Sequence, residues 1–191
     1  MKPQALVTVI GEIQITHAWL EDDLRIVWLK VREVAQSEPA TEFPKHFIRL
    51  IEFCQSRSES LDMPVAARSA ILGALHSAKE AHEARNHLVH DVWLPDLETG
   101  EYRSGKEIRR TALRDGVAVR SITERIPTTP LGEFEVCLQE LRALRWRMKA
   151  VDELLSHRNT PLASDDFDEA LTIARGEFRL GSDGNSITWP R

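Results

Sequence analysis

Apolar positions recur at three- and four-residue steps along most of the chain, with one interruption where they alternate instead. Over residues 9–34, Ile10, Ile13, His17, Leu20, Leu24, Val27 and Val31 share one face of a helix, as a period of 3.6 residues requires. Ile15, Trp19, Ile26 and Leu29 form a second, weaker stripe on roughly the opposite side. A helix that is apolar on two sides is either central in a bundle or shared with a partner subunit. Contact in a homodimer is the sharper expectation, and burial inside the monomer is the other. The stretch "SEPATEFP" breaks the period, and a second helix follows over about 43–57 with Phe47, Leu50, Ile51 and Cys54 facing inward. After "RSESLDMP", a third helix runs over about 64–88, with Pro64 suited to its first turn. Its inner face carries Ala67, Ile71, Ala74, Ala78 and Ala81, small side chains that let neighbouring backbones come close.

From 91 to 126 the helical period disappears. "VWLPDLETGEYRSG" and "GVAVRSITERI" alternate apolar and polar residues around Gly100, Gly105 and Gly116, the pattern of a short antiparallel hairpin or a β-meander. A last long helix is expected over about 129–157, its core face formed by Cys137, Leu141, Leu144, Met148, Val151 and Leu155. Beyond "HRNTP" the pattern suggests a short helix over 165–175 and a hairpin around the Asp-Gly of "EFRLGSDGNSITW". The expected fold is therefore mainly α: a four- to five-helix bundle with a small β insertion, at about 91–126, between the third and fourth long helices. Residues 1–160 would form the helical domain, and 161–191 a C-terminal tail. The acidic "SDDFDE" of that tail reads as a solvated linker, or as a segment that covers a site or docks a partner.

Composition narrows the class without fixing it. With 191 residues, 42% hydrophobic and 29% charged, the chain suits one domain with a substantial core. No apolar run is long enough to span a bilayer, and no signal-peptide pattern opens the chain, so no membrane partner and a cytoplasmic location are expected. Cys54 and Cys137 sit among apolar helical neighbours and read as buried thiols. The net charge of −5 argues against a chain-wide nucleic-acid footprint. It leaves room for a local one, because "EIRRTALRDGVAVR" and "LRALRWRMK" are basic.

Candidate chemistry gathers at "EARNHLVHDVW", residues 83–93. His76, Glu80, Glu83, His87 and His90 would share one face of the third helix. Imidazoles and carboxylates so spaced can hold a divalent ion, but only with matching ligands on another helix. No such set appears, so the site residues include no metal ligand and no cofactor is expected. Arg85 projects onto the alanine stripe, in line with Ala74, Ala78 and Ala81. A guanidinium there must meet a carboxylate, backbone carbonyls or a cavity open to an anion. Glu21, Asp22 and Asp23 of the first helix are the internal candidates.

The spacing Arg85-Asn86-x-x-x-His90, in "RNHLVH", resembles the signature of the HEPN superfamily: an arginine, a polar residue directly after it, and a histidine four to six residues on. The likeness covers roughly residues 10–157. It implies a helical bundle that dimerises, the two motifs meeting in a shared cleft. It also implies a metal-independent endoribonuclease in which the RNA 2′-hydroxyl attacks the adjacent phosphate. His90 would be the acid or base, Arg85 the phosphate clamp, and Asn86 the residue that orients the histidine or bonds the phosphate. His87 and Asp91 are possible helpers, and Arg145 on the basic fourth helix is a candidate for substrate binding. A toxin with a cognate antitoxin, or a phage-defence effector, is the implied setting. The competing reading is a non-catalytic helical module that binds a protein partner or a nucleotide.

Overall fold

The computed structural model describes residues 3–34, 44, 46–90, 92–95, 102–105, 109–114, 117–122, 131–157, 164–184 and 186–189. Its helices are α1 (Pro3–Val34), α2 (Phe47–Ser58), α3 (Val65–His90), α4 (Leu131–Ser156) and α5 (Ser164–Arg175). The molecule is a mainly helical bundle, as the periodicity requires. α1 is 32 residues long, about 48 Å at the rise of an α-helix. It begins well before residue 9, because Leu6 already belongs to the buried face.

The core is continuous across the five helices and includes Ile13, Leu20, Leu24, Leu50, Ile71, Phe134 and Met148, all fully buried. Each such side chain contributes about 1.5–3 kcal/mol by leaving water. α1 packs chiefly along α4, α2 bridges α1 and α3, and α5 lies across α3 and α4. All four other helices thus press on α3. Its buried Ala67, Ala70, Ala74, Ala78 and Ala81 are what make room for them. α1 and α3 themselves meet only over a short stretch.

α1 shows the two faces read from the sequence, and the second faces outward. Ile15 (53% exposed), Trp19 (50%), Ile26 (48%) and Leu29 (53%) remain on the surface of the single chain. Among the described residues nothing buries this stripe.

Between α3 and α4 the chain forms β1 (Val92–Pro95), β2 (Tyr102–Gly105), β3 (Arg109–Arg114) and β4 (Val117–Ile122). They pair as two separate antiparallel hairpins, β1 with β2 and β3 with β4, with registers Val92↔Gly105 and Arg114↔Val117. Among the described residues no ladder joins β2 to β3, so this is not one meander.

The segment after α4 differs from a linker. "SDDFDE" enters α5, with Asp165 and Asp166 in its first turn, where negative charge suits the helix dipole. Ala170, Leu171 and Ala174 join the common core. α5 stops at Gly176, whose φ of 81° only glycine adopts without strain. The Glu177 N–H reaches the Thr172 carbonyl and the Gly176 N–H reaches that of Ile173, the paired bonds of a Schellman cap. Arg147 of α4 donates from Nε to the Ala174 carbonyl at 2.9 Å, closing the same helix end. A short hairpin, β5 (Arg179–Leu180) with β6 (Ile187–Thr188), follows. Gly184 of the Asp-Gly pair has φ 67°, as the turn reading expects.

Candidate active site

The polar end of α3 meets α1 in a chain of hydrogen bonds. Arg85 donates from Nη1 to Asn86 Oδ1 at 2.7 Å and from Nη2 to Gln14 Oε1. Asn86 Nδ2 lies 2.9 Å from His82 Nε2, and His82 Nδ1 lies 2.9 Å from His17 Nε2. Phe47 of α2 stacks on His82 at 4.7 Å between centroids, with planes 10° apart, and its ring is also 4.7 Å from His17. The result is a string of neutral polar groups ending in one cation and walled on one side by a phenyl ring.

Arg85 lies at the end of the alanine stripe and is half-buried. Its expected carboxylate partners are engaged elsewhere. Glu21 and Asp22 both pair with Arg25, at 2.7 and 2.9 Å, and Asp23 pairs with Arg145 at 2.9 Å. The reason is register. The contacts Gln14–Arg85 and His17–His82 show that α1 and α3 run antiparallel here. Advancing along α1 means retreating along α3, so Glu21 falls about 10 Å along the axis from the level of Arg85. Glu21 and Asp22 find a local partner one turn away instead, the arrangement a helix favours. Among the described residues Arg85 makes no ion pair, and its buried Nε has no hydrogen-bond acceptor. Burial consequently lowers its pKa, opposed by the fields of Cys137 and Glu21.

The two imidazoles share this environment. Burial first, then the charges of Arg85 and His82, push the pKa of His17 down from 6.5 to about 4. His82 is also held below its ordinary value, by burial and by Arg85, with Glu21 and Glu83 opposing. Cys137 of α4, near the guanidinium, is a buried free thiol raised to about 11 by burial and Glu140. Cys54, likewise buried and free, is raised to about 12 by burial.

The remaining expected residues separate. Asn86 joins Arg85 directly, while His87 is exposed on α3. His90 closes α3 and is described in its backbone alone; Asp91 lies outside the described residues. His76 and Glu80 form an exposed pair at 3.4 Å. Among the described residues no three His, Cys, Asp or Glu side chains group to hold a metal ion.

Arg145 makes its contacts in a different place, a groove of about 560 Å³ beside α1 and α4. Its guanidinium pairs with Asp23 and sits 4.9 Å over the Trp19 ring. Lys149 lies 5.0 Å over Trp146 in the same groove. Arg142 reaches Glu12 at 3.8 Å there. A Cβ at Gly184 of the tail hairpin would come within 2.8 Å of the Arg142 side chain, so that turn closes against the groove at glycine's expense of volume.

Gln14, His17 and His82 are the members of the site that sequence reasoning missed. The signal for His17 was its place on the buried face of α1. The signal for His82 was its position one turn before Asn86. No protein-family model, curated protein or solved structure matches the chain.

Proposed function

We propose that this protein is a metal-independent endoribonuclease of the HEPN type, with Arg85, Asn86 and His90 as its catalytic residues. The observation that carries the reading is the electrostatic state of Arg85. It is a half-buried cation, held by two neutral side-chain oxygens and balanced by no carboxylate within ion-pair distance among the described residues. A planar fork of donors in that state favours an anion, and a phosphate matches its geometry. RNA supplies its own nucleophile. The enzyme has only to take the 2′-hydroxyl proton, stabilise the charge that builds on phosphorus-bound oxygen, and return a proton to the departing 5′-oxygen. His90 is the proton carrier in this scheme, since imidazole titrates near neutrality. Asn86 steadies the clamp.

The groove with Trp19, Trp146, Arg145 and Lys149 supports the same substrate class. Cations beside indole faces suit a single strand, whose bases stack while its phosphates pair. His87 and Asp91 would be auxiliary to Arg85, Asn86 and His90 in this scheme. The test is cleavage of total RNA by the purified chain with EDTA present. Absence of cleavage by the wild type ends this reading.

The outward stripe of α1 supports the dimer. Ile26 and Leu29, exposed on the part of that face clear of the groove, form the apolar surface that a second copy of α1 is proposed to cover. Ile26→Glu together with Leu29→Glu is expected to turn a dimer into a monomer by light scattering at micromolar concentration. Both sites lie away from the core and from Arg85, so the melting temperature should hold within a few degrees. A wild type that is already monomeric at that concentration removes the shared-cleft arrangement. In the cell the proposed role is a toxin with a neutralising antitoxin, or a phage-defence effector; expression of wild type but not His90→Ala should then arrest bacterial growth.

A second reading, a non-catalytic module that binds a protein or a nucleotide, draws on one observation. Both Nη atoms of Arg85 already hold internal partners. It expects no cleavage and no difference between wild type and His90→Ala.

A further inference from the structure

Donor and acceptor chemistry gives the α3–α1 chain a direction. A guanidinium has donors only, so Arg85 Nη1 requires the oxygen of Asn86, and Asn86 must turn its amide nitrogen to His82. His82 Nε2 is then the nitrogen with the free lone pair, and the ring proton sits on Nδ1. That Nδ1–H points at His17 Nε2, which must accept in turn. Every bond therefore runs one way, from Arg85 through Asn86 and His82 to His17, and both imidazoles are neutral Nδ1–H tautomers.

We infer that His82 is a positioning residue: braced by His17, its Nε2 lone pair fixes the orientation of the Asn86 amide, and through it one bond to the Arg85 guanidinium, and a proton on Nε2 breaks one of the two bonds that Asn86 makes. Protonation there would set donor against donor. Relief requires Asn86 to rotate its amide, which turns Nδ2 toward Arg85 and creates the same conflict one step outward. One of the two bonds is lost whichever way the amide turns, so the chain cannot stay fully satisfied. The groups acting on His82 favour the neutral form on balance. His17 and Glu21 come from α1, Glu83 and Arg85 from α3, and the apolar Phe47 from α2; burial and Arg85 outweigh the two carboxylates. Cys137 of α4, near Arg85, is a thiol held protonated by burial and so brings no charge to this chain near neutral pH.

The chain of tautomers is independent of what Arg85 binds; only its effect on cleavage rests on the ribonuclease reading. Long-range ¹H–¹⁵N spectra of the labelled full chain should show His17 and His82 as neutral Nδ1–H rings at pH 7.5, with His17 still neutral at pH 6 and His82 titrating below its ordinary 6.5. An Nε2–H tautomer at His82, or titration of His82 at its ordinary 6.5 without movement of the Asn86 side-chain amide signals, overturns the inference. RNA cleavage gives the second readout. His82→Leu removes the acceptor and should lower kcat about tenfold, the effect of about 1.4 kcal/mol. His82→Gln, whose amide oxygen can accept from Asn86, should restore most of the loss and remove the acid limb that His82 imposes on the pH profile. Equal rates for wild type and His82→Leu would refute the positioning role. A wild type that cleaves no RNA removes the proposed function, while the tautomer spectra still decide the chain.

Discussion

His90→Ala is expected to lower RNA cleavage by about 10²–10⁴-fold in kcat, the range for removing a positioned general acid or base. KM should change little, because a proton carrier acts on the reacting bond rather than on binding. Arg85→Ala should cost about 10²–10³-fold, the scale for one donor aimed at charge that develops in the transition state. Arg85→Lys is the sharper variant. It keeps the charge but loses the planar fork, and with it the simultaneous bonds to Gln14 and Asn86. A clamp that works by charge alone would tolerate lysine. One that works by geometry loses nearly as much as with alanine, and that is the expected result. EDTA should leave wild-type rates unchanged. Thermal melts of each variant separate a chemical effect from unfolding, since Arg85→Ala also strands two polar side chains between α1 and α3. Cleavage that His90→Ala leaves intact, or that EDTA abolishes, would overturn the assignment.

Much of the architecture was legible because helices write their packing into a period. The faces of α1, α3 and α4 came directly from it, as did the seat of Arg85 on the alanine stripe. The outward stripe of α1 was legible as a stripe, but its destination was not, because periodicity reports that a face is apolar and not what lies against it. The hidden part was the register between helices. Glu21 and Asp22 looked like partners for Arg85 because charge is visible in a sequence and axial level is not. Gln14 and His17 sit at the right level on α1, and neither carries a charge that would advertise it. α5 is visible as a short helix, yet "SDDFDE" reads as a linker because a run of acids does not itself show that Asp165 and Asp166 fall in the first turn of that helix. In the candidate site, then, the motif residues could be read from spacing, while the residues that hold them in place depend on how α1 lies across α3.

Acidification from pH 6.5 to 4 should weaken the fold by about 3 kcal/mol through His17 alone, given a folded pKa lowered from 6.5 to about 4. The sign follows from proton counting. Within that window the unfolded chain binds the His17 proton and the folded chain does not, so unfolding takes up a proton and stability rises with pH. Above 6.5 the group is neutral in both states and the slope from it vanishes; below about 4 the loss is complete. His82, lowered by the same burial, adds in the same direction. His17→Leu tests this by exchanging one cost for another. It leaves the His82 Nδ1–H without its acceptor, at about 1–3 kcal/mol that does not depend on pH. It also removes a buried base whose avoidance of charge weakens the wild type in acid. The variant should be less stable than wild type at pH 7.5 and the difference should shrink, or reverse, near pH 4.5. Urea unfolding at matched pH values reads this directly, with m expected to stay constant. Parallel stability curves for the two proteins would mean that His17 titrates normally in the fold. The neutral chain that holds Arg85 would then lack its inner anchor.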